Sequence, residues 1–91
     1  MEIEIAFPRL KFINENGLAK QMYHIDSELD EVKAAFFHEP IERVAEELAD
    51  LAQSCMTALY IIERTHGISP LDVIERVIGK NKSRGYENGM S

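Results

Sequence analysis

Residues 40–65 read PIERVAEELADLAQSCMTALYIIERT. After Pro40 this segment contains no glycine or proline, and no other segment of the chain is as long without one. Apolar side chains recur in it at helical spacing, which predicts a long helix that stops near Gly67. They are Ile41, Val44, Leu48, Leu51, Cys55, Leu59 and Ile62. The second half, from Leu51 to Ile62, is apolar nearly all round, and such a helix is buried on more than one side. In a chain of 91 residues we expect a partner subunit to cover the extra side.

Two further helices are predicted, one on each side of this segment. The first has Asn16 as its N-cap and runs to about Phe37. Its connection to the second is short and contains Glu39-Pro40, so the two helices should be antiparallel neighbours, with Pro40 in the first position of the second helix. The third begins at Ser69-Pro70-Leu71-Asp72, a strong helix start, and ends near Asn81.

The predicted architecture is all-α, a bundle of three main helices per chain that is completed by oligomerisation. Residues 17–86 form the helical domain. Residues 1–16 are an N-terminal arm or short extra element, since residues 1–8 alternate apolar and acidic before Pro8 and fit either a strand or a mobile arm. Residues 87–91 form a polar tail that we expect to be mobile.

Composition restricts the partners and the compartment. The net charge of −6 argues against binding to nucleic acid or to an anionic membrane, although a divalent cation would still allow a small anionic substrate. Cys55 is the only cysteine, which fits a cytoplasmic protein in which it packs as a small apolar residue. The acidic N-terminus is unlike a signal peptide, and the apolar run is too short to span a bilayer.

Two acidic pairs carry the strongest chemical signal. Glu28 and Glu31 lie three apart on the first long helix, and Glu47 and Asp50 lie three apart on the second. Each pair flanks the apolar stripe of its helix, which places it in the groove between the helices. Four carboxylates there would repel one another without a cation, and hard oxygen ligands suit Mg²⁺, with Mn²⁺ as a possible substitute. The alternative is a solvated acidic face, because 16 acidic residues produce such pairs by chance.

A basic cluster closes the third helix. Lys80, Lys82 and Arg84 stand together in an otherwise acidic chain. Arg84 can hold phosphate oxygens in bidentate fashion, Lys80 can supply a point charge, and Asn81 can contact a sugar or a base. The alternative is that these cations only complement the helix dipole.

Other candidates are weaker. His24 lies one turn before Glu28 and could join the site, but we expect it to face solvent or to support a ligand residue from outside. His38 and His66 fit helix ends, where the dipole favours them. A catalytic role for the Cys55 thiol is an alternative to simple packing. The sequence has no glycine-rich phosphate loop, no cysteine–histidine zinc pattern and no nucleophile triad.

The order of these motifs resembles the MazG-like nucleoside triphosphate pyrophosphohydrolases, members of the all-α NTP pyrophosphatase superfamily. The resemblance covers about residues 17–86 and is carried by Ser27–Val32, Val44–Ala52 and the Lys80–Tyr86 segment, which reads Lys-Asn-x-x-Arg-Gly-Tyr. The connection Gly67–Asp72 is also similar to that of the family. The N-terminal segment departs from the family pattern, because it lacks the aromatic-rich first helix that often contacts the base.

The resemblance implies a helical dimer or tetramer that hydrolyses an NTP or dNTP between the α- and β-phosphates, giving a monophosphate and pyrophosphate. It implies Mg²⁺ bound by Glu28, Glu31, Glu47 and Asp50, and substrate contacts from Lys80, Asn81 and Arg84. One carboxylate that the metal does not fully engage, Glu31 or Glu47, would serve as the catalytic base. A phosphoribosyl-ATP pyrophosphatase, a dUTP- or dCTP-specific relative and a non-catalytic helical oligomerisation module remain alternatives.

Overall fold

The computed structural model describes residues 6–85, which form four helices and no strand. They are α1 (Phe12–Glu15), α2 (Leu18–His38), α3 (Ile41–His66) and α4 (Pro70–Ser83). The all-α prediction is therefore confirmed for this part of the chain. The predictions for residues 1–5 and for the tail at 87–91 fall outside the described residues, as does Tyr86.

The three predicted main helices are α2, α3 and α4, with ends within about two residues of those expected. Gly17 is the N-cap of α2 in place of Asn16, whose side-chain amide donates instead to Oε1 of Gln21 at 3.1 Å. Pro40 is the N-cap of α3, one position before that predicted. The last helix continues to Ser83, two residues beyond Asn81.

Local signals explain how α3 ends and α4 begins. Gly67 adopts the left-handed conformation (φ 69°), and its N–H donates to the Glu63 carbonyl, which closes α3 as glycine C-caps do. The Ser69 hydroxyl accepts from the Asp72 N–H at 3.5 Å, and Pro70 takes the first helical position of α4.

The core lies between α2 and α3, which pack extensively against each other, while α4 makes only slight contact with α3. Among residues 6–85 the buried hydrophobic side chains are Ile13, Ala35, Val44, Ala58 and Ile61. Within Leu51–Ile62 the large apolar side chains are buried or half-buried in this single chain. The exposed ones lie elsewhere, notably where α2 meets α3 and along α4. No helix within residues 6–85 is long and apolar enough to cross a bilayer.

The N-terminal arm contains the short helix α1, which the sequence did not predict. Arg64 on α3 fixes it, because the guanidinium donates to the carbonyls of Ile13 at 2.8 Å and Asn16 at 3.0 Å. Arg9 lies 3.1 Å from a Glu63 oxygen and 4.3 Å above the centre of the Tyr60 ring. These contacts hold residues 9–16 on the outer surface of α3.

Candidate metal and nucleotide site

The antiparallel packing of α2 and α3 positions the two acidic pairs. Contacts across the groove join Gln21 and Glu28 of α2 to Ser54 of α3. In this register Glu31 lies near Glu47, and its carboxylate acts on the pKa of Glu47. The register thus brings one acid of the first pair near one acid of the second.

Glu28 is a buried carboxylate held by two partners. The Ser54 hydroxyl donates to its Oε1 in a short hydrogen bond, and Nε2 of His24 lies 2.9 Å from the same oxygen. The Glu28 side chain is only 10 % exposed, so burial would be costly without these partners. His24 thus contacts one of the predicted metal ligands from outside the group of four acids.

A row of polar side chains extends from Glu28 toward α1. The Gln21 amide is almost fully buried, donates to the Ser54 carbonyl at 3.1 Å and accepts from Asn16. Buried side-chain nitrogen and oxygen atoms in residues 6–85 all have partners, as a stable polar network requires. Neither Gln21 nor Ser54 was predicted as a site residue. The sequence does contain a pattern that could have indicated Gln21, because Gln21, His24 and Glu28 share one face of α2.

Glu47 is the second partly enclosed carboxylate, with a side chain 14 % exposed. Burial raises its pKa, and the carboxylates of Glu31, Asp50 and Glu39 raise it further, while Arg43 opposes them. Glu31 and Asp50 themselves are exposed at the rim of the groove. Burial is thus the main cause of the raised pKa of Glu47, and the nearby acids add to it against the opposing charge of Arg43.

Arg43, which was not among the predicted site residues, compensates for part of this negative charge. Its guanidinium donates to Glu47 at 2.8 Å and to Glu46 at 3.1 Å, and lies 3.8 Å from Glu39. The three acids are three or four residues from Arg43 in the sequence, which is the spacing at which side chains on a helix can meet. A metal ion bound to Glu47 would compete with this arginine.

The donor chemistry of the four acids fits Mg²⁺, while their present side-chain arrangement does not form a coordination shell. Within residues 6–85, no group of three or more His, Cys, Asp or Glu side chains is placed to hold a metal ion. The bonds of Glu28 to Ser54 and of Glu47 to Arg43 occupy oxygens that a metal would need. Binding would therefore require side-chain rotation of Glu47 away from Arg43.

The basic cluster at the end of α4 is separate from the carboxylates in one chain. Lys80 and Arg84 are exposed and Asn81 is half-buried. No ion pair in the described part of the molecule involves Lys80, Lys82 or Arg84. The structure thus places the four acids on α2 and α3 and the predicted phosphate-binding residues on a helix that hardly touches them.

A small hollow adjoins the acidic groove at its α1 side. It has a volume of about 180 Å³ and is lined by Phe12, Asn16, Lys20, Gln21 and His24. His24 connects it to Glu28. The hollow therefore combines an aromatic ring, two amides and a cation beside a buried carboxylate.

The remaining candidates have ordinary surroundings. His38 is the last residue of α2, and His66 is the last of α3, where its Nδ1 lies 2.7 Å from the Thr65 hydroxyl. Cys55 is a free thiol on the exposed side of α3, away from the packed position that the sequence predicted.

The chain matches no known family model, no curated protein and no solved structure. The case for a function therefore depends on the residues described above.

The unusual pKa of Glu47 leads to a stability prediction. Folding raises this pKa above its ordinary value of 4.5, so the ionised carboxylate costs stability at neutral pH, and the cost vanishes below about pH 4.5, where both states are protonated. Glu47→Gln removes the cost. Its melting temperature relative to the unmodified protein, measured in EDTA, should therefore be higher at pH 7 than at pH 4.

Glu46→Gln is the matched control, because it removes a bond to the same arginine from an exposed side chain. Its effect should differ little between the two pH values. Equal effects of Glu47→Gln at pH 4 and pH 7 would contradict the electrostatic description of the groove.

Proposed function

We propose that this protein is a Mg²⁺-dependent nucleotide pyrophosphohydrolase that converts an NTP or dNTP into a monophosphate and pyrophosphate. The main supporting observation is the acidic groove, where burial raises the pKa of the partly enclosed Glu47 and the carboxylates of Glu31 and Asp50 raise it further. Clustered carboxylates of this kind are suited to a divalent cation. The motif order that resembles MazG-like enzymes supplies the reaction and the bond that is cleaved.

Glu28, Glu31, Glu47 and Asp50 would hold the metal. A bound Mg²⁺ supplies neutralisation of phosphate charge and a lower pKa for water. Ser54 and His24 fix the orientation of Glu28, which limits the rotamers that this carboxylate can adopt. Glu31 or Glu47, whichever carboxylate the metal does not fully engage, would accept a proton from water.

Lys80, Asn81 and Arg84 would contact the polyphosphate and sugar. Lys80 and Arg84 are exposed, which leaves their donors available to a ligand, while Asn81 is half-buried. Positioning and charge neutralisation account for most of the rate in phosphoryl transfer, so residues without acid–base chemistry contribute to turnover. The protein would act as a dimer or tetramer, and its substrate would be a free nucleotide.

A non-catalytic helical oligomerisation module is the second candidate. The observation that favours it is the number of large apolar side chains exposed by a single chain, among them Phe36, Phe37 and Leu71. A module would use these surfaces and would have no need of the acidic groove. The two candidates differ in whether loss of the four acids changes any activity.

The test is a panel of NTPs and dNTPs, with phosphoribosyl-ATP included, incubated with the protein and MgCl₂. Products are separated by ion-exchange chromatography and identified. We expect monophosphate and pyrophosphate in equal amounts from at least one nucleotide. Diphosphate with inorganic phosphate would refute the proposed bond specificity, and no turnover across the panel would favour the module.

A further inference from the structure

The helix α4 has an apolar face that this chain does not cover. Leu71 is 63 % exposed and Ile78 is 53 % exposed, and Val77 is exposed as well. Leu71, Ile74 and Ile78 follow one another at helical spacing and define a stripe along the helix. An apolar stripe stabilises a helix when it is buried against another element. In the single chain Ile74 is half-buried, while Leu71 and Ile78 at the two ends of the stripe remain exposed.

A second apolar surface lies where α2 ends and α3 begins. We call it the aromatic corner, formed by Phe36, Phe37, Ile41 and Leu48, all strongly exposed. The two phenylalanine rings pack edge to face, with centroids 5.2 Å apart. At 66 % and 74 % exposure, they alone expose roughly 200–350 Å². Apolar patches of a few hundred Å² are close to the largest that monomeric proteins expose, and these are often functional.

The two surfaces carry opposite charge. Residues 39–50, around the corner, contain five acidic residues and one basic residue. Residues 76–84, along the second half of α4, contain four basic residues and no acidic one. Complementary charge beside matched apolar stripes favours docking of one surface on the other.

The two surfaces do not meet within one chain. The corner lies at the N-terminal end of α3, and α4 follows its C-terminal end, beyond 26 helical residues that span about 39 Å. The 14 residues of α4 span only about 21 Å. Because α4 makes only slight contact with α3, it does not run back along that helix toward the corner.

We propose that the aromatic corner is the docking site for α4 of a second copy of this chain, in a reciprocal dimer. Two-fold symmetry lets each α4 bind the corner of the other copy, so both surfaces are covered in both chains. Docking of α4 on the second copy would also bring Lys80 and Arg84 toward the acidic residues 39–50 of that copy. The interface itself does not depend on the proposed function, since its test requires no substrate.

Disulfide trapping tests the geometry. One chain carries Ile78→Cys and the other Phe37→Cys, both in a Cys55→Ser background, and the chains are co-expressed with tags of different size and then oxidised. We expect one dominant cross-linked species that contains both chains. The control replaces Phe37→Cys with Tyr23→Cys, an exposed aromatic on the same helix about 21 Å away, which should give no cross-link.

Charge exchange tests the electrostatic part. One chain carries Arg76→Glu with Lys82→Glu, and the other carries Glu42→Lys with Glu46→Lys. Each chain alone should dissociate more readily than the unmodified protein, and the mixture should form heterodimers, as measured by analytical ultracentrifugation. Cross-links between two Ile78→Cys chains, or an unmodified protein that is a stable monomer, would overturn the proposal whether or not the protein hydrolyses nucleotides.

Discussion

Glu47→Gln is expected to lower the turnover of the nucleotide substrate by about 10²–10⁴-fold, the range typical for loss of a catalytic acid or base. Two effects combine at this position. Glu47 would be a metal ligand, and together with Glu31 it is one of the two candidates for the base. The measurement is steady-state release of pyrophosphate with saturating MgCl₂, together with a circular dichroism spectrum to show that the helices remain.

Glu46→Gln is the control for that experiment. Glu46 is adjacent in sequence, carries the same charge and also bonds to Arg43, yet its side chain points to solvent. It should retain nearly full activity. If both variants lose the same activity, the effect comes from Arg43 or from net charge, and the assignment of Glu47 fails.

The main helices could be predicted from the sequence because their signals are local. The apolar spacing within residues 40–65, the glycine at position 67 and the Ser69-Pro70 start each act within a few residues. The helix α1 has only four residues, too few for a periodic pattern. Its position depends on Arg64, more than forty residues later, so only the folded chain reveals it.

The acidic groove was predictable in outline and not in detail. The i, i+3 spacing placed each pair beside an apolar stripe, and Glu31 of the first pair raises the pKa of Glu47 in the second. Which acid is buried depends on the register of α2 against α3, and that register decides the Ser54 contact to Glu28. The interaction of Glu47 with Arg43 was readable from spacing alone and was missed.

The predicted partner surface also differs from the one that the structure exposes. The sequence pointed to Leu51–Ile62 because that run is apolar nearly all round. In the folded chain Ala58 and Ile61 are buried and their apolar neighbours are half-buried. The exposed apolar side chains lie at the aromatic corner and on α4, where tertiary packing leaves them uncovered.

Metal ions are expected to stabilise the folded protein without any substrate. Divalent cations that bind the native groove and not the unfolded chain add about 2.7 kcal/mol at a hundredfold excess over Kd. In a domain of this size each kcal/mol raises the melting temperature by roughly 4–8 °C. Asp50→Asn should raise the melting temperature of the metal-free protein, because it removes a charge that faces Glu47, and should reduce the shift caused by metal.

Thermal melting in MgCl₂, MnCl₂ and NaCl at matched ionic strength tests the central claim, a metal site formed by Glu28, Glu31, Glu47 and Asp50, most directly. Asp30→Asn is the control, since Asp30 is an exposed acid of α2 outside the proposed ligands. We predict a higher melting temperature in MgCl₂ and MnCl₂ than in NaCl, with the difference reduced by Asp50→Asn and kept by Asp30→Asn. Identical curves in all three salts for the unmodified protein would contradict a metal site in this groove.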